Sequence, residues 1–279
     1  MSLDLDIIGK KYEWTPFTYN EDNVILYALG IGAGVDDLDF VYEKKLKVFP
    51  TFGCVTDDLS VMFQMYEDVG INLPTVVHAE DRFTTYKTIN TSGTIYRTMV
   101  LESVYDKGDK GALFNYVVEA RDDSNQPLCE DRILIMDRSA GNFGGSRGPK
   151  PERFDPPEGK APDFHVGWAT SPDQAALYRL SGDKNPLHID PAFAKKGGLD
   201  RPILQGMCTY GFAVRTIVNS ACERDPARFK SFSARFLSVV YPGEMLTIEG
   251  WEAGDSKFII QVRAQDGRVV LGNAVAEVS

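Results

Sequence analysis

An α+β fold made of two tandem copies of one unit is what the sequence predicts, and three observations carry that expectation. The stretches DNVILYAL (22–29) and DQAALYRL (173–180) share Asp, Leu, Tyr and Leu in identical register, at an offset of 151 residues. In each half the shared stretch is followed by a proline, Pro50 or Pro202, then by a helical pattern, then by strand-like runs. A long apolar helix finds its partner in one curved antiparallel sheet wrapped around it, and two such units in tandem form a pseudo-dimer.

The helix of the second half is expected from Gly206 to Glu223. There Met207, Tyr210, Val214, Ile217 and Ala221 recur at spacings of three and four, so one side is apolar along its whole length. Cys208, Phe212, Ala213 and Val218 make the other side only weakly polar, which predicts a helix buried on most of its circumference. The first-half counterpart is expected to start near Thr56, where Thr56, Asp57 and Asp58 offer a capping oxygen and acidic charge. Val55, Leu59, Met62, Phe63 and Tyr66 would form its apolar face.

β-rich runs follow each helix: TVVHAEDRFTTYKTI, TIYRTMVLESVY, ALFNYVVEAR and LCEDRILIMD, then SARFLSVVY, MLTIEGWEA, KFIIQVRA and VVLGNAVAEV. Turn signals such as TSG, KGDKG, DDSN, YPGE and AQDGR separate them. The segment SAGNFGGSRGPKPERFDPPEGKAP is rich in Gly and Pro and poor in apolar residues, so it reads as a linker. The expected division is a first repeat at 1–138, a linker at 139–162 and a second repeat at 163–279.

The bulk composition excludes several function classes. With 279 residues, 43% of them hydrophobic, the chain can fill the cores of two such units. A net charge of −10 argues against nucleic acid, whose binding needs clustered Lys and Arg to displace counterions. No stretch approaches the roughly 18 apolar residues of a membrane span, and the start shows no basic-then-apolar signal pattern, so a soluble, non-membrane protein is expected. Cys54, Cys129, Cys208 and Cys222 are far apart, which favours free thiols in a reducing compartment. His78, His165 and His188 have no ligand-like spacing, and no metal site is expected.

The candidate chemistry lies in LYRLSGDKNPLHIDPAFA (177–194). A helix begun near Ser171, with Pro172 in its first turn, must end by Gly182, because Asn185 precedes Pro186 and is biased out of the α region. On a continuous helix Asp183 and His188 would stand about 140° apart. A break at Gly182–Pro186 lets them point into one space, with Asn185 orienting either of them or a water. By residue type alone, local backbone bonding by Asp183 and Asn185 and core packing by His188 are the favoured readings.

SGDKNPLHID, preceded by LYRL and followed by PAFA, resembles the hydratase 2 motif of the MaoC-like enoyl-CoA hydratases, whose pattern ends in GDxNPLH. RPILQGMCTYGFA (201–213) is similar to the same family's second block. The doubled layout resembles the hydratase 2 region of yeast-type peroxisomal multifunctional enzymes of type 2. The resemblance implies a double hot-dog fold and (R)-specific hydration of fatty trans-2-enoyl-CoA in β-oxidation, with CoA as part of the substrate and no cofactor. It implies further that Asp183 and His188 handle the attacking water, that Asn185 supports them, and that Gly206 offers its backbone N–H to the developing enolate oxygen. Close helix packing is the other reading of Gly206. Gln205 departs from the pattern, since many relatives carry His there. A homodimer, a peroxisomal location and fusion to dehydrogenase domains in a longer chain are also implied, although the chain ends in AEVS without a peroxisomal tripeptide.

In the first half the repeat offset sets Asp183 on Gly32 and Asn185 on Gly34, so YALGIGAG lacks the reactive groups. Those glycines are expected to leave room for a long acyl chain. GIGAG shares part of a dinucleotide fingerprint but lacks the βαβ unit that gives it meaning. His78, His165, Trp14, Trp168 and Trp251 read as structural residues. The competing functions are a 3-hydroxyacyl thioester dehydratase, a hot-dog thioesterase and a non-catalytic acyl-CoA-binding module.

Overall fold

The computed structural model describes residues 3–56 and 59–279. Its first half runs β1 (Lys11–Glu13), β2 (Phe17–Tyr19), α1 (Glu21–Gly30), α2 (Leu38–Val41), α3 (Ser60–Val69), β3 (Val76–Thr85), β4 (Gly93–Asp106), β5 (Ala112–Arg121) and β6 (Pro127–Asp137). The second half runs β7 (Phe164–Ala169), α4 (Gln174–Tyr178), α5 (Pro191–Lys196), α6 (Gly206–Ser220), β8 (Phe229–Phe236), β9 (Met245–Glu252), β10 (Lys257–Ala264) and β11 (Val269–Val278). All described strands join one sheet, in the order β1-β4-β5-β6-β3-β8-β11-β10-β9-β7, with β2 paired to β4. Every pairing is antiparallel.

The halves meet where β3 pairs with β8, with Asp81 opposite Ala234 and Phe83 opposite Phe232. Tyr210 of α6 reaches this seam: its hydroxyl accepts the Phe83 N–H at 3.2 Å and donates to the Phe232 carbonyl. A buried phenol bonded to both strands fixes the helix against the join between repeats. The remainder of α6 is as apolar in its surroundings as its sequence requires, and every residue from Cys208 to Val218 is buried. The helix ends at Ser220 rather than Glu223. Glu223 and Arg224 turn left-handed (φ 53° and 60°), and the Arg224 N–H closes on the Val218 carbonyl at 2.9 Å.

The first half departs from the expected repeat. Its helix begins at Ser60, not near Thr56; Leu59 at the N-cap supplies no capping bond, and Asp57 and Asp58 lie outside the described residues. Only Met65, Tyr66 and Val69 of α3 are buried, while Phe63 is exposed. The helix covers a separate apolar cluster with residues of β1, β4 and β5, instead of mirroring α6. The physical reason lies in the main core. There Phe40, Phe49 and Phe52 and the apolar side of α1 already pack with α6, leaving no place for a second long helix.

The shared octets do form equivalent elements. α1 and α4 lie against each other, with the Tyr27 and Tyr178 ring centroids 6.2 Å apart. A capping box between Asn20 and Asn23 starts α1. Between β6 and β7 the chain is irregular. The Asp106 carboxylate accepts the Asn142 and Gly144 N–H groups at 2.9 and 2.8 Å, and the Asn273 side chain holds Phe154 and Glu152.

Candidate active site

After α4 the chain tightens into a 3₁₀ turn at Arg179–Ser181 and reaches Gly182 with φ +113°. A Cβ at this glycine would lie 1.6 Å from the Thr56 carbonyl oxygen, so both conformation and contact require the absence of a side chain. The turn thereby presses on the first half of the chain. Gly182→Ala is expected to destabilise the fold by about 1–3 kcal/mol from backbone strain alone, with the clash adding to it. A lowered urea midpoint would register the loss; an unchanged midpoint would contradict this account of the turn.

Beyond Gly182 the loop orders itself by local bonds. The Asp183 carboxylate accepts the Asn185 N–H at 3.2 Å, and the Asn185 side-chain oxygen accepts the Leu187 N–H at 3.0 Å. Asn185 thus caps the 3₁₀ turn Pro186–His188, and Asp190 caps α5 through the Ala192 and Phe193 N–H groups. Both local readings of these polar residues are therefore real, and they serve to aim the side chains. His188 is buried, and its Nε2 lies 3.5 Å from Asp183 Oδ2.

His188 Nδ1 lies 2.9 Å from the Ile203 carbonyl oxygen. A carbonyl can only accept, so Nδ1 carries a proton, and Nε2 is the ring nitrogen that faces Asp183. The 3.5 Å separation leaves both groups within reach of one small polar molecule, and Asp183, with 32% of its side chain exposed, is open to solvent.

Three residues after Ile203 comes Gly206, the first residue of α6. The approach to it is held on both sides: the Leu204 N–H donates to the Val240 carbonyl at 2.7 Å, and the buried Gln205 amide donates to the Ala175 carbonyl at 3.2 Å. Gln205 therefore meets its local hydrogen bonding through Nε2, while its Oε1 has no partner among the described residues. A first-turn N–H has no intrahelical acceptor, and the helix dipole favours negative charge there. The Gly206 N–H has no acceptor among the described residues. The packing reading of Gly206 also holds, because Phe236 Cε1 lies 3.0 Å from where a Cβ would sit.

A cavity of about 240 Å³ opens beside the loop. Gly182 and Lys184, the two neighbours of Asp183, line it together with Phe17, Leu26, Val55 and Leu180, and the exposed Thr18 and Lys184 take it to the surface. Gly32 and Gly34 do not line it. The acyl-chain room expected at Gly32 is filled: a Cβ there would lie 2.3 Å from Phe212 Cε1 and 3.2 Å from Arg215 Nη1, and φ is +79°. The glycine lets the loop close onto α6, so it creates contact and not space. Gly34 has nothing within 4 Å of a Cβ position and sits on the loop that leads to α2.

What the sequence reading missed is the partner of that loop. Asp37 and Arg215 form a buried ion pair at 2.6 Å, with the guanidinium 3.8 Å from the Trp168 ring centroid. The repeat offset held the clue, since 188 minus 151 is 37 and His188 falls on Asp37. His165 pairs with Glu249 at 3.3 Å and is largely exposed. Trp168 and Trp251 donate their indole N–H groups to Thr216 and Lys160.

Comparison with known proteins agrees with this architecture. Residues 17–138 match the family model for the MFE-2 hydratase 2 N-terminal domain, and residues 153–275 match that for the MaoC like domain. A probable enoyl-CoA hydratase 2 of Dictyostelium discoideum is 34% identical, over 99% of this chain and 97% of its own length. The peroxisomal multifunctional enzyme type 2 of Mus musculus is 35% identical over 97% of this chain, which spans 38% of that longer protein. The crystal structure of a MaoC-like dehydratase from Phytophthora capsici superposes with a TM-score of 0.88 at 31% identity, covering 99% of both chains. Matched in both halves, and along nearly its whole length by such relatives, the chain belongs to the hydratase 2 family of MaoC-like enzymes, with a double hot-dog fold.

Proposed function

We propose that this enzyme adds water across the double bond of trans-2-enoyl-CoA to give (3R)-3-hydroxyacyl-CoA. The observation that carries the reading is the approach of Asp183 Oδ2 and His188 Nε2 to 3.5 Å, on a loop whose Gly182 and Lys184 line a cavity. A water donating to both is deprotonated as its oxygen bonds to C3 of the enoyl group. The electron pair of the double bond moves toward the thioester carbonyl, whose oxygen accepts the Gly206 N–H. Return of a proton to C2 completes the product. Water and substrate alone balance the reaction, so no cofactor is called for, and CoA enters and leaves as part of the thioester.

General acid/base assistance of this kind contributes on the order of 10² to 10⁴ in rate, and one backbone donor to the enolate oxygen about 3–4 kcal/mol. Relatives named as peroxisomal multifunctional enzymes and as a peroxisomal enoyl-CoA hydratase 2 support a peroxisomal location; a role in β-oxidation and a homodimer belong to the same proposal.

The test is spectrophotometric. With crotonyl-CoA the enoyl absorbance should bleach without release of thiol, and chiral analysis should return the (3R) product. Free CoA would identify a thioesterase instead, and binding without any absorbance change would identify an acyl-CoA-binding module.

A further inference from the structure

His78 and Asp81 stand three apart on β3, a spacing that puts side chains on opposite faces of a regular strand. A register shift between His78 and Glu80 in the pairing with β6 inserts one extra residue, so both side chains come to the same inner face. His78 Nε2 then lies 3.3 Å from Asp81 Oδ2. Asp131 of β6 is the diagonal neighbour of Asp81, because Phe83 pairs with Asp131 and Asp81 with Ile133. Both Asp81 oxygens, Asp131 Oδ1 and His78 Nε2 are buried without an aligned hydrogen bond.

On its other side the imidazole lies on the Phe236 ring, with centroids 4.5 Å apart. Phe236 is the ring that closes on Gly206, with Cε1 3.0 Å from the Cβ position. Carboxyl pair, imidazole, phenyl ring and helix-opening glycine thus form a chain of contacts from the first repeat into the second. We propose that His78, held from behind by the Asp81–Asp131 pair, is a positioning residue for hydration: it fixes the Phe236 ring and, through it, the Gly206 amide that faces the thioester oxygen.

Two carboxyl groups placed together in a buried site cannot both ionise. Burial pushes Asp81 up to about 7 and Asp131 further above the usual carboxylate range, while it pushes His78 down to about 4. Near neutral pH the cluster therefore keeps a proton on its carboxyls and an uncharged imidazole, which suits a ring packed on phenylalanine. Glu80 on β3 and Asp183 across the site are the charged groups that reach it, and the buried Cys54 thiol hydrogen-bonds Asp131.

The inference rests on the hydratase reading, and steady-state kinetics with crotonyl-CoA test the two separately. His78→Ala should lower kcat by about tenfold or more with KM within about twofold, the signature of an interaction used in the transition state. His78→Phe, which restores a ring against Phe236, should recover most of that loss. Should His78→Ala fail to fold, Phe236→Ala removes the same wedge from the other side and should show the same kcat loss. A folded His78→Ala enzyme with parental kcat, a loss confined to KM, or His78→Phe as slow as His78→Ala would each overturn the proposal. A parent enzyme that does not turn over crotonyl-CoA would overturn the hydratase reading, and this inference with it.

Discussion

Asp183→Asn and His188→Gln are each expected to reduce turnover by several orders of magnitude while the protein stays folded. An amide in place of the Asp183 carboxylate would still accept the Asn185 N–H, so the loop keeps its shape, but it no longer presents a carboxylate to the water. A glutamine in place of His188 can still donate to the Ile203 carbonyl, yet it has no basic nitrogen to set 3.5 Å from Asp183. Loss of one acid/base group removes on the order of 10² to 10⁴ in rate. On the proposed function one water serves both groups, so the double variant should be scarcely slower than either single one. Rates with crotonyl-CoA, alongside circular dichroism to verify folding, decide the matter. Near-parental hydration by either variant would remove these residues from the reaction.

The largest stability effect is expected at Asp37. Its carboxylate accepts Arg215 Nε at 2.9 Å and the Asn219 amide at 3.0 Å, with Arg224 at 3.4 Å, and both members of the main pair are almost wholly buried. Asp37→Ala strands a guanidinium under Trp168, in a site where burial already pulls Arg215 below its ordinary range. Breaking a buried pair from one side costs about 3–5 kcal/mol, whereas replacing both partners by apolar groups is close to neutral. Urea denaturation should therefore find Asp37→Ala far less stable than parent, and Asp37→Ala/Arg215→Met substantially restored. Equal destabilisation by the single and double variants would show that the pair does not act as a unit. The pair joins the loop after α1 to α6, so its loss should loosen the contact between the two repeats.

The motif and the second repeat were legible because their signals are local. GDKNPLH names its own bend, since Gly182, Asn185 and Pro186 each restrict the backbone at one position; the bend lets Asp183 and His188 converge, and the Ile203 carbonyl then holds the ring. The apolar periodicity of 206–220 is likewise a local property, and ALFNYVVEAR and KFIIQVRA became β5 and β10 with their predicted ends. The run SARFLSVVY fared less well. Its strand is Phe229–Phe236, because pairing to β3 and β11 sets the limits of β8; Leu237 still donates its N–H to the Val270 carbonyl at 2.9 Å, and the chain leaves the ladder after it.

By itself, then, the sequence determined the double repeat and the all-round burial of α6, and its resemblance to the hydratase 2 motif singled out Asp183 and His188, which the structure brings to 3.5 Å. Only the tertiary structure decided how the first repeat gave up its long helix, why Gly32 is filled by Phe212, and which distant groups meet. Asp37 with Arg215, and His78 with Asp81, Asp131 and Phe236, are brought together by strand pairing, by one bulge in β3 and by the packing of one repeat on the other. A bulge changes which face a side chain takes without leaving any period in the sequence, so contacts of that kind appear only when the chain is folded.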